Sequence, residues 1–171
     1  MAALEPDEAL ARYRELVAKV DATFAAIHSK HAAQMQCGRG CTSCCKPGLT
    51  VCAVENATIR EYLSTHPVAP AGDRTDRCSM LASDGACTIY PVRPLVCRSH
   101  GAPLAFKEQG QERRDVCPLN FATSAADAGA VLEALSPQDC INLDTLNTLL
   151  ALINKAYAPA ASLARYPLAP A

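Results

Sequence analysis

The sequence predicts a mainly α protein: a small single domain of about four helices flanking irregular, cysteine-rich, metal-binding loops. Three observations predict it. Apolar residues recur at helical spacing near both ends of the 171-residue chain. The middle is interrupted by glycine and proline and holds most of the ten cysteines. The length and a hydrophobic content of 50% suffice for one ordinary core without disulfide staples.

The first element is an amphipathic helix over residues 6–35. Leu10, Tyr13, Leu16, Val17, Val20, Phe24 and Ile27 recur three or four residues apart with no internal glycine or proline. His28 and His31 near its end are read as solvated or capping residues before they are read as ligands. From Gly38 to about Val51, three glycines and a proline favour irregular backbone, which suits ligands that must converge. Asn56 to His66 is a short second helix, closed by Pro67, whose ring disfavours helix in the residue before it. Residues 67–77 form a connector, and residues 77–118 are again cysteine-bearing and irregular.

After Asn120 the composition turns to Ala and Leu, and residues 124–157 form a C-terminal helical part. Thr123-Ser-Ala-Ala-Asp127 starts a helix that ends near Leu135. Ser136-Pro-Gln-Asp139 starts the next, with an N-cap serine, a proline at the first position and an acid three residues after the cap. That helix runs to about Tyr157 and buries Leu143, Leu146, Leu149, Leu150 and Ile153. The last dozen residues, rich in Pro and Ala, are expected to fray.

Composition also narrows the partners. A formal net charge of -1 and a pI near 6.4 give no electrostatic footprint for nucleic acid or an anionic membrane. No apolar run approaches the roughly 18 residues of a membrane span. Met1-Ala-Ala-Leu-Glu-Pro-Asp-Glu8 lacks the basic and apolar regions of a secretory signal, so a reducing cytoplasmic location is expected, where cysteines serve metal or catalysis before disulfides. The expected partner is a metal ion; the sequence names no protein partner.

The chemistry lies in residues 37–117. Cys37-Gly-Arg-Gly-Cys41-Thr-Ser-Cys44-Cys45 gathers four thiols in nine residues, and its C-x-x-C unit is a spacing that turns two sulfurs toward one ion. Cys78, Cys87, Cys97 and Cys117 follow, with Asp84-Gly85 as a turn that brings Cys78 back toward Cys87. Adjacent side chains diverge in extended or helical backbone, so Cys44 and Cys45 are not expected to share one tetrahedral ion easily. The eight thiols can make two tetrathiolate zinc sites, or one four-cysteine iron-sulfur cluster with the remainder structural or redox-active. Either centre leaves about -2 of charge, which calls for nearby cations; Arg39, Lys46, Arg93 and Arg98 flank the cysteines. Lys46 is read as a solvated charge, and Arg93 and Arg98 as residues supporting the bound centre. Cys52 and Cys140 lie in apolar surroundings and are read as core thiols. His100, in C-x-x-H spacing after Cys97, is a turn-capping residue held in reserve as a ligand.

Cys37-x3-Cys41-x2-Cys44-Cys45, followed by Cys78-x8-Cys87-Thr-Ile-Tyr90-x2-Arg93-Pro94-x2-Cys97-Arg98, resembles the CxxCxxCC cysteine-cluster family of zinc- or iron-chelating domains. The resemblance spans about Cys37 to Cys117. It implies a metal-chelating module and a glutamate-bearing helix after the double cysteine, a place that Glu55 fills. Cys37 departs from the family's spacing by one residue. The cluster is also similar to one in flagellin lysine N-methylases, but this chain is much shorter and methyl transfer is not carried over. The chain contains no G-x-G-x-x-G, P-loop or H-E-x-x-H motif. The leading expectation is a metal-binding protein; the alternatives are an iron-sulfur redox or radical enzyme and a metal or cluster carrier.

Overall fold

The computed structural model describes residues 5–38, 40–68, 76–121 and 128–169. Among these, five α-helices are present, α1 (Pro6–Lys30), α2 (Ala53–Thr65), α3 (Leu95–Ser99), α4 (Ala128–Ala134) and α5 (Leu143–Tyr157), with two small sheets. The mainly α class holds. The helix number does not, because the short α3, which carries Cys97, lies where irregular backbone was expected.

Helix α1 opens on Pro6 with Asp7 and Glu8 in its first turn and closes with His28 and Lys30 in its last, so charge opposes the helix dipole at both ends. Ala9, Tyr13, Leu16, Val20 and Ile27 form its buried stripe. It stops at Lys30 and not near Met35: His31 leaves helical backbone at φ -115, and a short 3-10 turn, Ala32–Gln34, follows.

The chain forms two compact units whose segments alternate along the sequence: Met1–Arg14, Gly38–Pro94 and Ala151–Ala171 in the first, Glu15–Cys37 and Leu95–Leu150 in the second. The first is organised around a core of Val51, Ile59, Leu63, Cys78, Met80, Leu81, Ile89 and Leu168. Here β1 (Thr50–Val51) pairs antiparallel with β5 (Tyr166–Pro167), and Leu168 N donates to Leu49 O at 2.8 Å. The C-terminal segment up to Ala169, expected to fray, is therefore docked here, because Leu168 buries its side chain in this core. Helix α2 begins at Ala53, earlier than expected, with Cys52 as its N-cap, since the Glu55 carboxylate accepts the Cys52 amide at 3.1 Å and closes a capping box. It ends at Thr65, with His66 as its C-cap before Pro67, close to where the sequence predicts.

In the second unit, β2 (Leu104–Glu108) and β3 (Gln111–Asp115) form an antiparallel hairpin that the sequence reading missed. Its two-residue turn puts Gln109 at φ 51 and Gly110 at φ 81, the left-handed pair that matches strand twist. The Ser136–Asp139 capping box is present, but it starts only a 3-10 turn, Pro137–Asp139. Cys140 is extended, Ile141 N donates to Pro103 O at 2.8 Å, and β4 (Ile141–Asn142) pairs parallel with β2. Asn142 then caps α5 by accepting the Thr145 amide at 2.8 Å. The expected continuous helix from Ser136 is thus cut by a strand, because a β-branched Ile beside a sheet edge finds backbone partners there.

Helix α5 buries Leu146, half-buries Leu143, Leu150 and Ile153, and leaves Leu149 41% exposed, contrary to the expected stripe. Asn154 takes an inward place instead, accepting from Val54 N at 3.1 Å and donating to Ser162 O at 2.9 Å. The expected helix start at Thr123–Asp127 lies outside the described residues. No described helix is long and apolar enough to cross a membrane.

Candidate metal centre

In the first unit a tight turn follows the C-x-x-C unit: Cys45 N donates to Thr42 O and Lys46 N to Cys44 O, both at 2.9 Å. Cys78 N donates to Cys45 O at 2.9 Å, tying the later cysteine segment to the double cysteine. From there the chain reverses over Gly85, at φ +81, with an antiparallel bridge between Leu81 and Cys87. The turn expected at Asp84-Gly85 is thus formed, and Asp84 Oδ1 accepts the Ala86 amide at 3.0 Å.

Four thiols meet electrostatically as a result. The Cys45 thiol is pushed up to about 12, first by burial, then by repulsion from and hydrogen bonding with Cys44, then by repulsion from Cys78 and Cys87. Cys44 bears on the Cys45 thiol although the two are adjacent, and the backbone there turns from Thr42 to Cys45. Burial also pushes Cys87 up; the Ile89 amide and the Arg93 charge oppose it, while Cys78 adds to it. Arg93 lies across the Tyr90 ring at 4.0 Å and donates to Tyr90 O at 3.0 Å, so a stacked cation is fixed near Cys87. Cys41, half-buried, donates its amide to Gly38 O at 3.1 Å.

The second unit holds Cys37, Cys97 and Cys117. The Cys37 sulfur accepts from Asn120 Nδ2 at 3.1 Å, and Asn120 N donates to Cys117 O at 2.8 Å. Cys97 lies on α3, which ends in a turn through Gly101 at φ +99. Sequence reasoning passed over both Asn120 and Gly101; the signal available was a polar residue three positions after Cys117 and a glycine just past a helix.

The remaining candidates have other partners or places. Arg98, 4% exposed, pairs with Asp21 at 2.6 Å. His28 stacks on Phe24. His31 packs on Phe121, and its Nε2 lies 3.2 Å from Asp139 Oδ1, near enough for an ion pair but off the hydrogen-bond line. Lys46 and His100 are exposed, Cys52 and Cys140 are buried, and Glu55 is the α2 capping residue. Arg39 lies outside the described residues. No disulfide joins the described cysteines, and among the described residues no three His, Cys, Asp or Glu side chains stand in a metal-gripping arrangement.

Burial, and then the nearby Glu55 carboxylate, push Cys52 up to about 12 from the ordinary 9.0. A folded value above the unfolded one favours the fold fully below the unfolded value and loses that stability as pH rises toward the folded value. The thermal midpoint of the metal-free protein is therefore expected to fall between about pH 8 and about pH 10, with a shallower fall in Cys52→Ala. Melts at the two pH values check this.

Residues 36–118 match a family model named CxxCxxCC and described as "Putative zinc- or iron-chelating domain". No curated protein and no solved structure matches the chain.

Proposed function

From the match of residues 36–118 to the CxxCxxCC family model, we propose that the protein chelates zinc or iron through two groups of thiolates. In the first unit the ligands are Cys44, Cys45, Cys78 and Cys87, with Cys41 beside them; in the second they are Cys37, Cys97 and Cys117. The observation that carries this reading is the Cys78 to Cys45 backbone bond at 2.9 Å, which with the Leu81–Cys87 bridge brings the later cysteines to the double cysteine; burial and the neighbouring thiols favour the protonated form of Cys45. A dication reverses both causes: it supplies the charge that burial withholds and turns mutual repulsion among sulfurs into shared attraction. Closing on the ion requires the thiols to turn about their side-chain torsions. Four thiolates around one dication leave about -2, which the Arg93 guanidinium offsets from beside Cys87. Arg98 serves the second group in the same sense, from a position fixed by Asp21. A reducing, cytoplasmic setting belongs to the same proposal, since thiolate ligands require reduced cysteine.

The reading has a direct consequence for protons. A thiol titrating near 12 carries its proton at neutral pH, so metal must displace it, and affinity falls as pH falls. Adding zinc to the reduced, metal-free protein in weakly buffered solution at about pH 7 is expected to release more than one proton per ion bound. Binding without acidification contradicts a thiol-based site.

A further inference from the structure

Asn120 lies outside the residues matched by the family model, yet it bonds to two of the three cysteines of the second thiol group. Its side chain is 2% exposed and its bonding is fully directed. Oδ1 accepts the Gln36 amide at 2.7 Å; Nδ2 donates to Gly101 O at 2.6 Å and to the Cys37 sulfur at 3.1 Å. The Asn120 amide itself binds Cys117 O. One residue thereby ties the segment before Cys37, the turn that ends the Cys97 helix, and Cys117.

The carboxamide cannot be reversed without setting its oxygen against a carbonyl and a sulfur, so the Gln36 amide fixes the N-H face on Cys37. The space for that sulfur is equally specific. A Cβ on Gly101 would lie 2.6 Å from Cys37 Sγ, and its φ of +99 is one that side-chain-bearing residues rarely adopt. Glycine here leaves the sulfur its place while asparagine aims a donor at it. An N-H group donated to a ligating sulfur fixes its lone pairs and spreads the charge of a metal thiolate.

We infer that Asn120 is a positioning residue that orients the Cys37 sulfur as a metal ligand, with Gly101 shaping the space it occupies. This rests on the chelating function proposed above. It also accounts for Cys37 despite its non-family spacing, since its orientation comes from a residue distant in sequence.

The test uses the full chain loaded with cobalt(II), whose thiolate charge-transfer absorption reports the sulfurs bound. Asn120→Asp keeps the shape but presents an oxygen to the thiolate. It is expected to lower the charge-transfer intensity and weaken zinc binding by about 10–100-fold, with the far-ultraviolet circular dichroism of the metal-free protein unchanged. Cys37→Ser should lower the same band, and adding Asn120→Asp to it should change the band no further. If Asn120→Asp does not fold, Asn120→Ala removes the donor without adding charge and carries the same test. A folded variant with the wild-type band and affinity overturns the role of Asn120. Failure of the wild type to bind cobalt, zinc and iron alike overturns the chelating reading itself.

Discussion

Replacing Cys78 and Cys87 together by serine is expected to abolish metal binding in the first unit. The two residues are the later half of its proposed ligand set, delivered to Cys45 by the Cys78 to Cys45 backbone bond and by the reversal over Gly85. Serine does not supply a thiolate, and two remaining sulfurs leave a tetrathiolate site incomplete. Structural zinc sites of this kind hold their ion with about 10–16 kcal/mol at neutral pH, so the expected result is loss of the ion, not a modest weakening. Cys52→Ala is the control: Cys52 is buried at the start of α2 and capped by Glu55, outside the proposed ligand set. Metal content per chain, measured after the same purification, should drop in the double variant and persist in the control. Full occupancy in the double variant contradicts the assignment of this unit's ligands.

Asp139→Asn is expected to give the largest stability loss away from the cysteines. The Asp139 carboxylate, 5% exposed, accepts from Lys30 Nζ at 2.7 and 2.9 Å, from Ser136 Oγ at 2.6 Å and from Ser136 N at 3.2 Å. Lys30, then Ser136, with a smaller part from His31, hold it well below the ordinary carboxylate value, against the opposing effect of burial. These contacts join the end of α1 to the turn before β4 inside the second unit. Lys30 is 60% exposed, so its part is screened by solvent. Losing the charge-assisted bonds should cost about 2 kcal/mol, read as a lower urea midpoint. The depressed folded value fixes the sign with pH: the stabilisation is complete above the unfolded value of about 4 and is lost as pH falls toward the folded one. Acid melts of the wild type should therefore steepen below about pH 4, and those of Asp139→Asn should do so less.

The helices were legible where periodicity and caps act locally. Tyr13, Leu16, Val20 and Ile27 mark one face of α1 at helical spacing, and Pro67 marks the end of α2. The strands were not, because their signals are short or depend on distant partners. Gln109-Gly110 is a weaker turn signal than Asn-Gly, and Ile141 becomes a strand residue only beside Pro103 and Leu104. Asp139 shows how a local rule can be right and its conclusion wrong. The capping box forms as expected, but the same carboxylate is held by Lys30, 109 residues away in sequence, and the helix does not continue.

At the candidate site, the spacing of Cys78, Gly85 and Cys87 revealed the chain reversal, and C-x-x-C marked the other half. The influence of Cys44 on the Cys45 thiol was hidden, since the backbone turn from Thr42 to Cys45 is not encoded in the spacing. Asn120 was hidden for a different reason: its four bonds reach Gln36, Cys37, Gly101 and Cys117, and three of those residues are distant in sequence.

The central claim is tested most directly by purifying the wild-type protein anaerobically, without a histidine tag, and measuring zinc, iron and acid-labile sulfide per chain. The account requires bound metal: zinc without iron or sulfide means thiolate zinc sites, and iron with matching sulfide means a cluster on the same cysteines. Protein that is folded, fully reduced and free of both metals, and that stays free of them after anaerobic addition of each, would contradict it.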